Sequence, residues 1–175
     1  MTIIIEDGTQ VVGAESYVTT DFCDTYHANR NNTGWAAIAS STLKEGYIRQ
    51  AMAYLETNFR GRWKGTRVTS VQMLDWPRWG CQIDDVTLGQ VAYYIPYNVI
   101  PLQLQNVVAE LALFAVAGFL DPNLQQGIIT KKVGPLAVTY DPYSPQSPRY
   151  PIVNGYLRIF MTAGNGSGRM SLSRT

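Results

Sequence analysis

PLQLQNVVAELALFAVA, residues 101–117, decides the fold class. Leu104, Val107, Val108, Leu111, Phe114 and Ala115 recur at three- and four-residue spacing, which puts them on one helical face. Pro101 suits the first helical position, where its missing N–H costs nothing. Gly118 and Pro122 stop the helix. The apolar run Val107 to Leu120 holds Glu110 and is too short to span a bilayer, so it reads as a buried core helix. The expected fold is mainly α, a small helical bundle around a central helix at about 101–117.

Upstream, Thr42-Leu43-Lys44-Glu45 has the form of a capping box and opens a helix running to about Asn58. Ile48, Ala51, Met52, Leu55 and Phe59 form its inner stripe. Before it, Thr20-Asp21 caps a shorter helix over Phe22 to Asn29, with Phe22, Cys23 and Tyr26 inward, and Asn31 to Gly34 ends it. At the N-terminus, Ile3 to Ile5 and Val11-Val12 flank an Asp7-Gly8 turn and predict a hairpin.

Between the two main helices lies GRWKGTRVTSVQMLDWPRWG, residues 61–80. It gathers Trp63, Trp76 and Trp79 with Arg62, Lys64, Arg67 and Arg78, and Arg60 stands just outside it. Pro77 disfavours helical geometry at Trp76, so the dipeptide forces an extended turn. Interleaved Arg and Trp fit a nucleic-acid surface, a protein interface or a packed corner. For single-stranded DNA, bases would stack on the indoles while the cations neutralise phosphates. For a corner, the indoles pin Pro77, and Arg67 and Arg78 make salt links within or between subunits. A net charge of +1 lacks the positive excess of a typical DNA-binding domain, which favours the corner. The next stretch, Ile83 to Thr87, reads as turn-like, and Tyr93 to Ile100 as an aromatic connection broken by Pro96.

Downstream, Ile128 to Val133 and Leu136 to Tyr140 alternate around Gly134-Pro135 and predict an inserted β-hairpin at about 128–140. Pro142, Pro145, Pro148 and Pro151, with Tyr143 and Tyr150 among them, read as an extended loop. A last helix is expected from Ile152 to Met161, carrying Ile152, Tyr156, Ile159 and Phe160. The end, AGNGSGRMSLSRT, has the composition of a segment that orders only against a partner.

Composition narrows the function classes. The 175 residues suit one domain with a core and extended termini. Charge alternates in blocks of about −4, +4, −2 and +3 over residues 1–40, 41–80, 81–140 and 141–175, a pattern suited to meeting copies of itself or a neighbour head to tail. Cys23 and Cys81 give neither a disulfide framework nor zinc spacing, and MTIIIEDG has no signal-peptide pattern. His27 is the only histidine, at a polar helix end, and no G-x-S-x-G elbow is present. Asp84-Asp85 lacks a third metal ligand nearby, Asp75 reads as a turn-former or arginine partner, and Lys64-Gly65-Thr66 lacks the order of a phosphate loop. No enzyme, metal or cofactor is expected.

Several strings in order carry a resemblance. They are Ser16-Tyr17-Val18-Thr19, Leu43-Lys44-Glu45, Ala53-Tyr54-Leu55, Gly65-Thr66-Arg67, Gln72, Leu74, Trp76-Pro77-Arg78-x-Gly80, Ile95-Pro96, Ala109-Glu110-Leu111-Ala112 and Val133-Gly134-Pro135-Leu136. The chain resembles, over about residues 15–160, a tailed-phage family labelled DnaT-like single-stranded-DNA-binding proteins. That family is similar in layout to the head–tail connector adaptors.

The adaptor resemblance implies a structural virion protein at the head–tail junction, assembled in the host cytoplasm. It implies a homo-oligomeric ring of about twelve copies that joins the portal protein to a tail or stopper protein and passes double-stranded DNA. No membrane is involved. On this reading residues 1–163 form the adaptor domain, with a hairpin arm at 1–14 and the hairpin and Pro-rich loop at 127–151. Residues 164–175 form a docking tail, in which Arg169, Met170, Leu172 and Arg174 meet the portal. Ile128, Ile129, Lys131, Lys132, Tyr143 and Tyr150 face neighbouring subunits or the tail, and Trp63, Arg67, Trp76, Pro77, Arg78 and Trp79 build the corner. The family label implies the alternative, single-stranded DNA on the 60–80 stretch.

Overall fold

A computed structural model describes residues 2–89, 91–122, 128–133, 136–140 and 150–162, with backbone alone for 128–140. The fold is mainly helical. Its elements in order are α1 (Thr20–Ala28), α2 (Thr33–Ala36), α3 (Ser41–Phe59), β1 (Thr66–Arg67), β2 (Arg78–Trp79), β3 (Gln82–Leu88), β4 (Val91–Tyr94), α4 (Leu102–Ala117), β5 (Ile128–Val133), β6 (Leu136–Tyr140) and α5 (Pro151–Leu157). A 3-10 turn, Arg158–Phe160, extends α5. The strands pair as three separate antiparallel ribbons, β1–β2, β3–β4 and β5–β6.

Helix α4 is the centre, in contact with α1, α2, α3 and α5. Its buried residues run Leu104, Val107 through Ala112, and Ala115, so it is enclosed on more than one face. Phe114 is only half-buried. Pro101 is the residue before the helix, in extended geometry, and Gly118 follows its end. Facing α4, α3 buries Ile48, Ala51, Met52, Leu55 and Phe59, the stripe its spacing predicts. Each fully buried aliphatic side chain contributes roughly 1.5–3 kcal/mol, and this pairing forms the main core.

Glu110 is accommodated inside it because its Oε1 accepts from Tyr26 Oη at 2.7 Å. His27 is buried beside it: Nε2 lies 3.0 Å from the Ala109 carbonyl, and Nδ1 lies 3.0 Å from Asn32 Nδ2. A carbonyl only accepts and an amide nitrogen only donates, so these partners assign the neutral tautomer with its proton on Nε2. Burial lowers the His27 pKa. The histidine is a core cross-link between α1 and α4.

Several local expectations give way. Ser40, not Thr42, caps α3 by accepting from the Leu43 amide, and Glu45 pairs with Arg49 instead of closing a box. Residues 1–14 form no Asp-Gly hairpin. Ile5 bridges Ser16 in parallel, and the buried carboxylate of Glu6 gathers the amides of Gly8, Gln10 and Val11 at 2.8–2.9 Å. The loop closes around that charge, and Gly8 must be glycine there: it has φ +109, and a Cβ would collide with the Asn98 carbonyl. Ile3 and Ala14 are core residues, so the segment is no free arm. Ile83 to Thr87, expected as turn-like, lies within β3, and Tyr93-Tyr94, expected in a connection, within β4; the two strands pair as a hairpin. Helix α5 buries Val153 and Leu157, followed by Phe160, and leaves Ile152 exposed. The β5–β6 hairpin forms in the register Val133↔Leu136 to Ile128↔Tyr140.

Candidate functional site

The 61–80 stretch forms a corner whose centre is inside the protein. Trp63 and Trp76 are buried and meet edge-on, with ring centroids 6.0 Å apart. Phe59 lies against Trp63, and Phe160 meets Trp76 edge-on at 5.5 Å. Trp63 Nε1 donates to Asp75 Oδ2 at 3.0 Å. The Trp76 amide donates to Tyr17 Oη at 3.0 Å, while the Asp75 amide donates to Glu56 Oε1 at 3.0 Å. The Trp76–Pro77 peptide is cis. Gln72, also buried, accepts from the Thr69 amide and donates from Nε2 to the carbonyls of Leu74 and Pro77. The segment after α5 is latched on here too, through Lys64 N to Phe160 O and Thr162 N to Arg62 O, both 2.8 Å.

Arg67 and Arg78 are spent on carbonyls, whereas Arg60 and Arg62 are exposed. Arg78 donates from Nε to Lys64 O at 2.9 Å, from Nη1 to Asp75 O at 3.0 Å and from Nη2 to Gly65 O at 2.8 Å. Its guanidinium is thereby fixed inside the corner, and burial lowers its pKa. Arg67 donates from Nη1 to Gln72 O. Among the described residues neither makes a salt link within the subunit: the 64–78 loop turns carbonyls inward, and the planar guanidinium of Arg78 reaches three at once. The salt bridges here are Arg60 with Asp75 and Lys64 with Asp84.

Trp79 differs from the other two tryptophans. It is 51% exposed and stacks on Tyr97, centroids 4.2 Å apart with planes 16° from parallel. In the β1–β2 ribbon Thr66 pairs with Trp79 and Arg67 with Arg78. Successive residues of a strand point to opposite faces, so both arginines lie on the ribbon face away from Trp79. The one accessible indole of this stretch therefore has neither arginine beside it.

Of the other expected surface residues, Tyr150 is half-buried within the subunit: its hydroxyl donates to Leu120 O at 2.8 Å and its ring packs on Tyr54 and Phe114. Ile128, Ile129, Lys131 and Lys132 lie on β5: Ile128 pairs with Tyr140 at the open end of the ladder, Ile129 falls at the register shift, and Lys131 and Lys132 pair with Val138 and Ala137. Tyr143, Arg169, Met170, Leu172 and Arg174 fall outside the described residues. Among the described residues no cluster of three or more His, Cys, Asp or Glu could hold a metal ion. No helix among them is long and apolar enough to cross a membrane. Burial pushes the Cys23 thiol up to about 12, far from the range of a reactive thiolate.

What sequence reasoning missed is the surface. The β3–β4 hairpin exposes Val86, Leu88, Val91 and Tyr94, and two loops expose Val12, Val71 and Met73. Scattered apolar residues in nominal loops were the only signal.

The fold and its corner define a small helical domain with a largely internal Trp/Arg motif, in which the buried Trp76 Nε1 has no hydrogen-bond partner among the described residues, and with exposed apolar ribbons and loops. The chain belongs to the family described as "Putative DnaT-like ssDNA binding protein", whose model matches residues 1–175. No curated protein and no solved structure matches it.

Proposed function

We propose that this protein is a structural subunit, an adaptor that assembles into a ring between the portal and the tail of a phage particle. The observation that carries this reading is the state of the aromatic and basic stretch. Trp63 and Arg78 are buried with their side chains hydrogen-bonded within the subunit, and Trp76 is buried with its backbone amide bonded to Tyr17, so all three hold the fold and are not available to bases or phosphates. Beside the exposed charges of Arg60 and Arg62, the β3–β4 hairpin and the 9–12 and 69–73 loops expose apolar side chains, as suits contact with protein. In this reading the ring has about twelve copies, as the resemblance to the adaptors implies, closed by cyclic symmetry. Its bore passes double-stranded DNA, one face meets the portal and the other the tail or a stopper, with residues 164–175 as the portal contact. No catalytic residue is involved.

The family description supports a second reading, single-stranded DNA binding, and the exposed Trp79–Tyr97 stack is its only aromatic platform in this stretch. Mass photometry of the purified chain, alone and with portal protein, tests the first reading. A ring that binds portal, and loses it when residues 164–175 are removed, is expected. Titration with single-stranded oligonucleotide at several salt concentrations tests the second. Tight binding that drops steeply with salt and is lost in Trp79→Ala, from a chain that stays monomeric, would replace the adaptor reading.

A further inference from the structure

His27 is the only histidine of the chain, and its two ring nitrogens meet partners of different kinds. Nε2 lies 3.0 Å from the Ala109 carbonyl of α4, which can only accept, so this nitrogen carries a proton in either charge state. Nδ1 lies 3.0 Å from the side-chain amide of Asn32, the residue before α2. That amide has a donor at one end and an acceptor at the other, and half a turn about its Cβ–Cγ bond exchanges them. With Nδ2 toward the ring, Asn32 donates to the bare Nδ1 of a neutral imidazole. With Oδ1 toward the ring, it accepts from the Nδ1–H of an imidazolium. The same heavy-atom geometry therefore serves both charge states. The backbone of Asn32 is pinned meanwhile, its amide donating to His27 O at 3.0 Å and its carbonyl accepting from the Trp35 amide at 3.2 Å.

The surroundings can carry the added charge. Burial lowers the proton affinity of the ring, and the Arg30 charge, just beyond α1, works in the same direction. The Ala109 carbonyl and the Glu110 charge on α4, with the Asp24 charge on α1, raise it. Lys44 of α3, 2.8 Å from Asp24, lines with Asp24, Trp35 and the imidazole a cavity of about 250 Å³, so charged groups stand beside the ring. Helix α2 brings no charge, but its Trp35 ring lies against the imidazole with centroids 5.0 Å apart, and Tyr26 of α1 meets it edge-on. Two carboxylates and an aromatic ring thus offset part of the cost of a buried cation.

We propose that His27 and Asn32 form a reversible proton-binding pair, in which uptake of one proton at Nδ1 turns the Asn32 amide over and leaves α1, α2 and α4 folded. Asn32 is only half-buried, so the turn alters what its outer end offers. In the neutral pair the outer end is the acceptor Oδ1; in the charged pair it is the donor Nδ2. Acid thereby changes both the charge and the hydrogen-bonding character of the α1–α2 junction, within a block of the chain that carries about −4. This device belongs to the fold of one subunit and stands apart from the assembly reading above.

A single histidine gives a single set of imidazole signals, so NMR of the parent chain reads the pair directly. At neutral pH the nitrogen shifts are expected to show a protonated Nε2 and a bare Nδ1. On acidification His27 should titrate reversibly below its ordinary value of 6.5, with the Asn32 side-chain amide signals moving in step and α4 amide protection unchanged. Asn32→Asp presents only acceptors to Nδ1 and should raise the proton affinity of His27 at least about tenfold, or about one pH unit. Asn32→Leu presents none and should lower it. The parental midpoint in both variants would overturn the proposal, as would a proton on Nδ1 at neutral pH or unfolding that accompanies the titration. Should either variant fail to fold, the parent still decides: an Asn32 amide that stays unchanged while His27 titrates overturns the pair.

Discussion

Trp63 and Asp75 are joined by a 3.0 Å hydrogen bond from indole Nε1 to carboxylate Oδ2, and both residues are buried. The bond ties the exit of α3 to the residue before Trp76. The other oxygen of Asp75 faces Arg60 at 3.6 Å, so the indole is the better-placed of its two side-chain partners. In Trp63→Phe most of the ring packing against Phe59 and Trp76 remains, but a buried carboxylate oxygen loses its donor. The expected loss is about 1–3 kcal/mol in urea unfolding. An unchanged midpoint would mean that solvent replaces the indole and that the corner is more open than its burial implies.

Arg78 organises the same corner by gathering three carbonyls that no strand or helix satisfies. Lysine has the charge without the planar fork, so Arg78→Lys keeps at most part of this set. The expected cost is about 2–4 kcal/mol of stability, with increased amide exchange through 64–78. Affinity for oligonucleotide per folded molecule should not change. A variant as stable as the parent but weaker on DNA would instead place the guanidinium at a phosphate.

The main helices were readable because their cores repeat at helical spacing: the α3 stripe from Ile48 to Phe59 and most of the α4 stripe are buried as expected. Other features depend on partners distant in sequence. Both Ser40 and Thr42 are good caps, and only the chain's entry geometry selects Ser40. The β3 strand escaped notice because Asp84, Asp85 and the bulge break its alternation. Whether the 61–80 stretch was surface or corner turned on the carbonyls that Arg78 meets, and residue types do not encode those. The Glu6 loop was misread for the same reason, since a Glu-Asp-Gly string gives a hairpin signal whether or not the glutamate is buried.

Glu56 should make stability depend on pH. Burial pushes its carboxyl up to about 7 from an ordinary value of 4.5, and the Asp75 charge adds to this. The Asp75 amide, the Arg60 charge and the Tyr17 hydroxyl work in the opposite direction. The folded pKa is raised, so this contribution is complete below about pH 4.5 and is lost as pH rises through 7. Glu56→Gln retains an oxygen to accept from the Asp75 amide but cannot ionise. Above pH 7 it should be more stable than the parent by on the order of 1–2 kcal/mol, discounted for the partial exposure of the carboxyl. His27, whose lowered pKa acts in the reverse sense, is present in both chains and cancels in the difference. Unfolding curves from pH 4.5 to 8 that stay parallel for the two chains would remove Glu56 as the source.

Glu6 provides the most local test of how the surface is built. Its Oε1 accepts from Gly8 and Gln10 and its Oε2 from Val11, with the side chain almost fully buried. Three charge-assisted bonds to backbone amides hold the loop that presents Val12. In Glu6→Gln one of the two oxygens becomes a donor, and the Val11 amide or the Gly8 and Gln10 amides lose their acceptor. The expected cost is about 2–3 kcal/mol. Hydrogen exchange should rise first at Gly8, Gln10 and Val11, before the amides of α3 or α4 respond. Unchanged exchange at these three amides in a variant of parental stability would show that the carboxylate does not hold the loop.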